Sequence, residues 1–316
     1  YTTLTPPKVP ITLTANVGTF EMSSWGVIEA DIVDEAPDSG TKGTLVKKGA
    51  ADLNFYGQKS YTGPTRIDEG RLIITAGTKL GDLTIADGAQ LAVNLARSTL
   101  GSKLDSSFKV RILREGATLT LTEGRALKDA IVCVEAEDYT NPVITQDKTG
   151  VWLEGTVAEG AAVARNERTG IHYRFLATAA GEVESDDTIT LLKDIEVNAD
   201  FACKAGLTLD LNGHTLTRVG MHVISFQGNT VLKNGTILTK ERYQNGNTTF
   251  LALSEGASLT IADVDVGDAD GHELNSAIYL RKNCTVTISG GTWHVQSLLS
   301  SYWTPAPVSV TGGRFP

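Results

Sequence analysis

The segment Asp210-Leu211-Asn212-Gly213-His214 sets a carboxylate, an amide and an imidazole within five residues. Such a set can hold and move a proton. The same residues also make a corner. Asn and Gly accept left-handed backbone and form local side-chain hydrogen bonds. His214, two residues before a core leucine, is expected on the surface. The structural reading is the stronger one, and Asn212 or Asn234 can join a ladder of stacked amides inside a coil.

The densest charge lies at residues 263–273, which include Asp263, Asp265, Asp268, Asp270, His272 and Glu273. Carboxylates on alternate strand positions face the same side, so Asp263 and Asp265 could share a cation. Calcium wants six to eight oxygens, and the corner at Asp268 and Asp270 could add two. The spacing is not that of an EF-hand loop or a calcium-binding nonapeptide, so a solvated acidic loop is the simpler expectation. No cofactor is implied, and calcium is the one cation in view. A lyase would need calcium or a basic residue beside a carboxylate. Arg242, Arg281 and Lys282 are the basic residues on neighbouring repeats. Glycoside hydrolysis needs two carboxylates about 5–9.5 Å apart. Asp263, Asp265 and Glu273, or Glu184, Asp186 and Asp187, could supply them, and nothing in the sequence selects either set. Asp186 and Asp187 fit a turn before a strand at Thr188.

Aromatic residues are 6% of the chain, so their clustering carries weight. Trp293, His294, Tyr302 and Trp303 fall within eleven residues and include two of the four tryptophans. An exposed aromatic platform stacks on sugar rings, which makes these four the candidate ligand-binding residues. The competing reading puts Trp293 in the core, with Tyr302 and Trp303 folded over the last coil. Cys133, Cys203 and Cys284 are odd in number and far apart, and are expected as small core side chains. Phosphate loop, nucleotide fingerprint, nucleophile elbow and zinc spacing are all missing from the sequence.

These residues need elements to position them, and the composition says which. The chain has 316 residues, 32 of them Gly and 39 Thr, against only 2 Met, which favours strands and tight turns over helices. A formal charge of -9 argues against a nucleic-acid partner. No apolar run is long enough for a membrane-spanning helix. The chain opens at Tyr1 with no charged-then-apolar leader and closes at Pro316 directly after a repeat. A trimmed fragment is therefore expected.

Repeats set the architecture. A Gly-Ala turn followed by alternating apolar residues starts at Gly49, Gly88, Gly116 and Gly256. In the second half, five segments align: 207–216, 230–238, 258–266, 285–293 and 307–315. Their last apolar positions are matched as Leu216, Ile237, Val264, Trp293 and Phe315. Further strands at 222–226, 249–253 and 276–280 give about three short strands per repeat. This is the pattern of a parallel β-helix whose coils stack about 4.8 Å apart. Loops are expected at 239–247, 267–275 and 294–306. A β-sandwich is the competing fold. Against it, the segments resemble each other in register.

The run Gly43 to Gly49, then Leu53-Asn54-Phe55-Tyr56-Gly57, Tyr61-Thr62-Gly63-Pro64-Thr65-Arg66-Ile67 and Gly70-Arg71-Leu72 resembles the autotransporter-associated β-strand repeat over about residues 11–93. Ala51 and Arg71 depart from its pattern. The resemblance implies a secreted or surface-displayed β-solenoid and no catalytic residues. The segments 188–194 and 209–216 resemble the opening of pectate-lyase-like right-handed β-helices of bacterial surface proteins, over about residues 165–316. That group often caps its open end with a short helix, and 175–183 suits the role.

The expectation is an all-β, right-handed parallel β-helix or β-solenoid, with segments at 1–155 and 156–316 and a capping helix near 175–183. The expected function is that of a non-enzymatic, adhesin-like module, secreted or at the cell surface, that binds an extracellular glycan or host surface ligand. A polysaccharide lyase or glycoside hydrolase working in a groove is the alternative, and a structural spacer is the third.

Overall fold

The computed structural model describes residues 2–4, 10–14, 16–35, 42–57, 60–240, 250–271, 273–300 and 307–316. The chain is a β-solenoid that divides into two compact units, Tyr1–Ala158 and Glu159–Pro316.

In the second unit each turn contributes three strands, one to each flank of the coil. One flank stacks Thr188–Leu191, Thr208–Asp210, the first half of Asn229–Lys240, the first half of Ser258–Asp268, Thr285–Ser289 and Val308–Val310, all parallel. The register builds columns of like side chains. One runs Ile189, Leu209, Leu232, Ile261, Ile288. Another runs Ile195, Leu216, Ile237, Val266, Trp293. The third flank stacks Phe201–Cys203, Ile224–Phe226, Leu251–Leu253, Leu274–Leu280 and Val295–Ser300. Alternation drives the coil: most inward residues are apolar, and burying each is worth about 1.5–3 kcal/mol, while Arg218, Thr239 and Asp268 form one buried polar column. The repeat alignment needs one correction. Ile237 pairs with Val266, not Val264, which lies opposite Gly235. Residues 294–306 also do not form one loop, because Val295–Ser300 is a strand.

The expected cap is present as the helix Leu176–Glu182. It buries Leu176, Ala179 and Ala180 toward Phe201–Cys203. Beside it, Ala164–Asn166 pairs antiparallel with both His172–Tyr173 and Thr188–Leu191, and so closes the edge of the parallel stack. The turn expected at Asp186 and Asp187 forms: Asp186 has φ 70°, and the backbone N–H of Glu184 donates to Asp187 Oδ2 at 2.9 Å. Asp187 is buried and also accepts from Asn166 Nδ2 and Arg168 Nε.

The first unit coils in the same way. Gly26–Ile28, Leu53–Phe55, Arg71–Ala76, Gln90–Ser98 and Ile131–Val134 stack on one flank. Val17–Glu21, Thr44–Lys48, Thr65–Ile67, Leu83–Ile85 and Leu119–Leu121 stack on another. Tyr61 is buried, with its hydroxyl 2.5 Å from Thr65 Oγ1, and the loss of solvent pushes its pKa up to about 12. Thr62 donates from both its N–H and its hydroxyl to Asp34 Oδ2. A Cβ on Gly63 would lie 1.9 Å from the carbonyl oxygen of Gly43 one turn away, so only glycine fits this corner.

The solenoid does not run through the whole of 1–155. Phe108–Arg111, Gly150–Val157 and Tyr139–Asp147 form a three-stranded antiparallel sheet. Its signals are the turn at Asp147 to Gly150 and the alternation of Val151, Leu153 and Val157, all buried. All three cysteines are free. Cys203 and Cys284 are core residues, and Cys133 is half-buried. Burial pushes the Cys203 thiol up to about 12.

Candidate ligand-binding groove

The flank that carries Ile237, Val266 and Trp293 inward presents a groove of about 410 Å³ outward. Leu238 pairs with Gly267, and the bridge between Val266 and Trp293 brings His294 alongside Gly267. Gly267 is therefore a notch between two larger side chains. A Cβ there would lie 3.7 Å from Leu238 Cδ2 and 3.8 Å from His294 Cδ2. A second row, parallel to the first, consists of Thr236, Asp265 and Thr292. Asp265 Oδ1 accepts the backbone N–H of Thr292 at 2.6 Å. Asp265 is exposed and its other oxygen is directed by this anchor. His294 is exposed, while its backbone donates to Val266 O and accepts from Leu274 N, both at 2.9 Å. Its ring thus stands on a fixed backbone.

Asp268 also lines the groove but is buried. Its Oδ1 accepts the N–H of Asp270 at 3.0 Å and its Oδ2 accepts from the Thr239 hydroxyl at 3.4 Å. The result is a shallow trough with an apolar strip of Leu238 and Gly267, an imidazole at one side, and two hydroxyls and a carboxylate along the other. A few polar groups over an apolar floor fix the orientation of a small ligand. The two-faced character of a sugar ring, C–H on one face and hydroxyls at the rim, fits such a trough.

The expected aromatic platform divides. Trp293 is fully buried, so it presents no face to a ligand. It packs in the core column, stacks on Phe315 with centroids 6.4 Å apart, and donates Nε1–H to Gly290 O. His294 lies in the groove. Tyr302 and Trp303 lie outside the described residues, as do Arg242, Tyr243 and His272. Sequence reasoning missed Leu238, Gly267 and Thr292. Their signal was a glycine at an outward strand position, which removes a side chain where the coil has no need of a turn.

The other candidates are absorbed by structure. Asp210 accepts from Asn212 N and Asn234 Nδ2 through Oδ1 and pairs with Lys233 through Oδ2. His214 Nδ1 lies 3.3 Å from Asp194 Oδ1. Asn212 and Asn234 sit exposed at left-handed corners with φ 53° and 59°, so their amides lie outside the coil, not within it. Asp263 occupies the same corner with φ 53°, which breaks strand alternation and removes the argument that it shares a face with Asp265. Glu184 and Asp187 both pair with Arg168. Among the described residues, no group of three or more His, Cys, Asp and Glu side chains is placed to hold a metal ion. Comparison of the chain with protein-family models, with curated proteins and with solved structures returns no match.

Proposed function

We propose that this chain is a non-enzymatic β-solenoid module, adhesin-like, secreted or displayed at a cell surface, that binds an extracellular glycan. The autotransporter-type and pectate-lyase-like resemblances belong to this reading. The observation that carries it is the trough around Gly267, where Leu238, His294, Thr236, Asp265 and Thr292 line one continuous strip across successive coils. A rigid coil holds such a strip without loop ordering, which lowers the entropic cost of binding.

A second reading, a lyase or hydrolase of polysaccharides, draws on one observation: Asp265, Asp268 and His294 line the same trough. Against it, Asp268 is buried and its oxygens accept from Asp270 and Thr239. A glycan array probed with the chain, in calcium and in chelator, with the bound glycans then analysed for cleavage products, separates the two. Binding without cleavage that is weakened by Gly267→Ala supports the module. Cleavage that is abolished by Asp265→Asn supports the enzyme. Silence on the array removes both readings and leaves a spacer.

A further inference from the structure

A second cavity, in the first unit, has the opposite electrical character to the chain as a whole. It is an open depression of about 310 Å³ lined by Ser60, Thr75, Thr78, Thr99, Lys79 and Arg114. The chain carries a formal charge of -9, yet among the described residues no carboxylate lines this cavity. Two cations and four hydroxyls do. Gly57 and Gly77 complete the lining, and the missing side chain of Gly77 leaves room beside Thr99. Gly77 has φ 105°, and a Cβ there would lie 2.4 Å from Thr99 Oγ1.

Three successive turns build the site. Ser60 comes from one, Thr75 to Lys79 from the next, and Thr99 and Arg114 from the third. Arg114 is tied across them. Its Nη2 donates to the carbonyls of Ser60 and Tyr61, each at 3.2 Å, and its own backbone N–H donates to Leu80 O. Those bonds fix the guanidinium. Its Nε is enclosed and has no acceptor. Lys79 is exposed and makes no ion pair with a described residue. Thr75 and Thr78 are joined hydroxyl to hydroxyl at 3.0 Å. A guanidinium held by backbone carbonyls, with donors left over and an ammonium alongside, is the arrangement that takes an oxyanion through charge-assisted hydrogen bonds. The hydroxyls add donors and acceptors of the kind that meet sugar hydroxyls.

We infer that this cavity binds the oxyanion of an acidic saccharide, with Arg114 and Lys79 on the anion and Thr75, Thr78 and Thr99 on neighbouring hydroxyls. This inference stands apart from the trough in the second unit.

The test is calorimetric titration of the full chain with three trisaccharides: galacturonate, sulfated galactose and neutral galactose. One of the two anionic probes binds, and which one tells carboxylate from sulfate. The neutral probe binds at least tenfold more weakly. Lys79→Glu loses binding by tenfold or more, as expected for a lost charge-assisted contact, and Lys128→Glu, a reversal of an exposed lysine elsewhere, changes it by less than about threefold. Lys79 is a surface residue, so its variant reads binding even where Arg114→Ala disturbs the coil. Equal binding of the neutral probe, wild-type affinity in Lys79→Glu, or no binding of either anionic probe at millimolar concentration overturns the inference.

Discussion

Asp263 lays its carboxylate against Gly290 one coil away: a Cβ on Gly290 would fall 2.1 Å from Asp263 Oδ1. The two residues occupy the same corner on successive turns, between the pairs Ala262–Ser289 and Val266–Trp293. Both are left-handed, with φ 53° and 108°. The corner runs on through Asn234 and Asn212, so each turn bends with a residue that tolerates φ > 0. Gly290→Ala must therefore strain its own backbone and displace the carboxylate. Urea denaturation is expected to show a loss of about 2–3 kcal/mol. The same substitution in an Asp263→Gly background should recover part of it. A loss below about 0.5 kcal/mol would mean that the corner is not built this way.

Lys47 is the least expected core residue. It shares an inward column with Ile67 and pairs with Phe20 on the other side, and it is fully buried. Its Nζ donates to the carbonyls of Lys48, Gly49 and Glu69 at 2.9, 2.5 and 2.9 Å. These oxygens belong to the corners of two adjacent turns, so the ammonium links one coil to the next. Desolvation lowers its pKa from the ordinary lysine value. Lys47→Met keeps the bulk but takes a donor from all three carbonyls, of which Lys48 O keeps the Met22 N–H at 3.0 Å while Gly49 O and Glu69 O lose the ammonium that reached them. A destabilisation of about 2–4 kcal/mol is expected, read from the urea midpoint. A neutral outcome would show that water replaces the ammonium at no cost.

The cap of the second unit carries a pH dependence. The Arg168 guanidinium hydrogen-bonded to Asp187 holds its carboxyl down at about 2, with help from the Glu184 N–H and Asn166. The folded value lies below the unfolded one of about 3.9. The contribution of this carboxylate is thus full above about pH 4 and fades as pH falls toward 2. Because Arg168 is half exposed, the contribution is set at about 1–2 kcal/mol. Asp187→Asn should lower stability near pH 7 and flatten its fall between pH 4 and pH 2. An unchanged slope in that window would assign the acid sensitivity to other carboxylates.

The coil was legible because alternation and register repeat: Leu209, Leu232, Ile261 and Ile288 each stand at the same place in a similar segment. The cap at Leu176–Glu182 was legible because a run of alanines interrupts strand-forming sequence. Three features were not. The hairpin of Tyr139–Asp147 and Gly150–Val157 shares the alternation of the coil strands, and nothing local tells a parallel partner from an antiparallel one. Val266, not Val264, completes its column because the left-handed Asp263 looks from sequence like an ordinary strand residue. The groove was half legible. His294 stood out by type, while Gly267 works by lacking a side chain and only the pairing with Leu238 reveals its neighbours.

Trp293 and His294 are adjacent in sequence and opposite in environment, which permits a sharp separation of roles. Trp293 is fully enclosed and closes the column of Ile237 and Val266, so Trp293→Ala should cost about 3–5 kcal/mol through the cavity it opens. His294→Ala removes an exposed ring whose backbone bonds are untouched, and should move the urea midpoint by less than about 0.5 kcal/mol. Gly267→Ala adds a methyl at ordinary contact distance from Leu238 and His294, so it too should leave stability within that range while it fills the trough. Ligand binding should follow the reverse order. His294→Ala and Gly267→Ala should weaken glycan binding by roughly tenfold, whereas any loss in a Trp293→Phe variant should track its unfolded fraction and disappear on cooling to where the coil is intact. If Gly267→Ala binds every array glycan as the wild type does, the trough is not the binding site, however well its two rows of side chains suit a sugar.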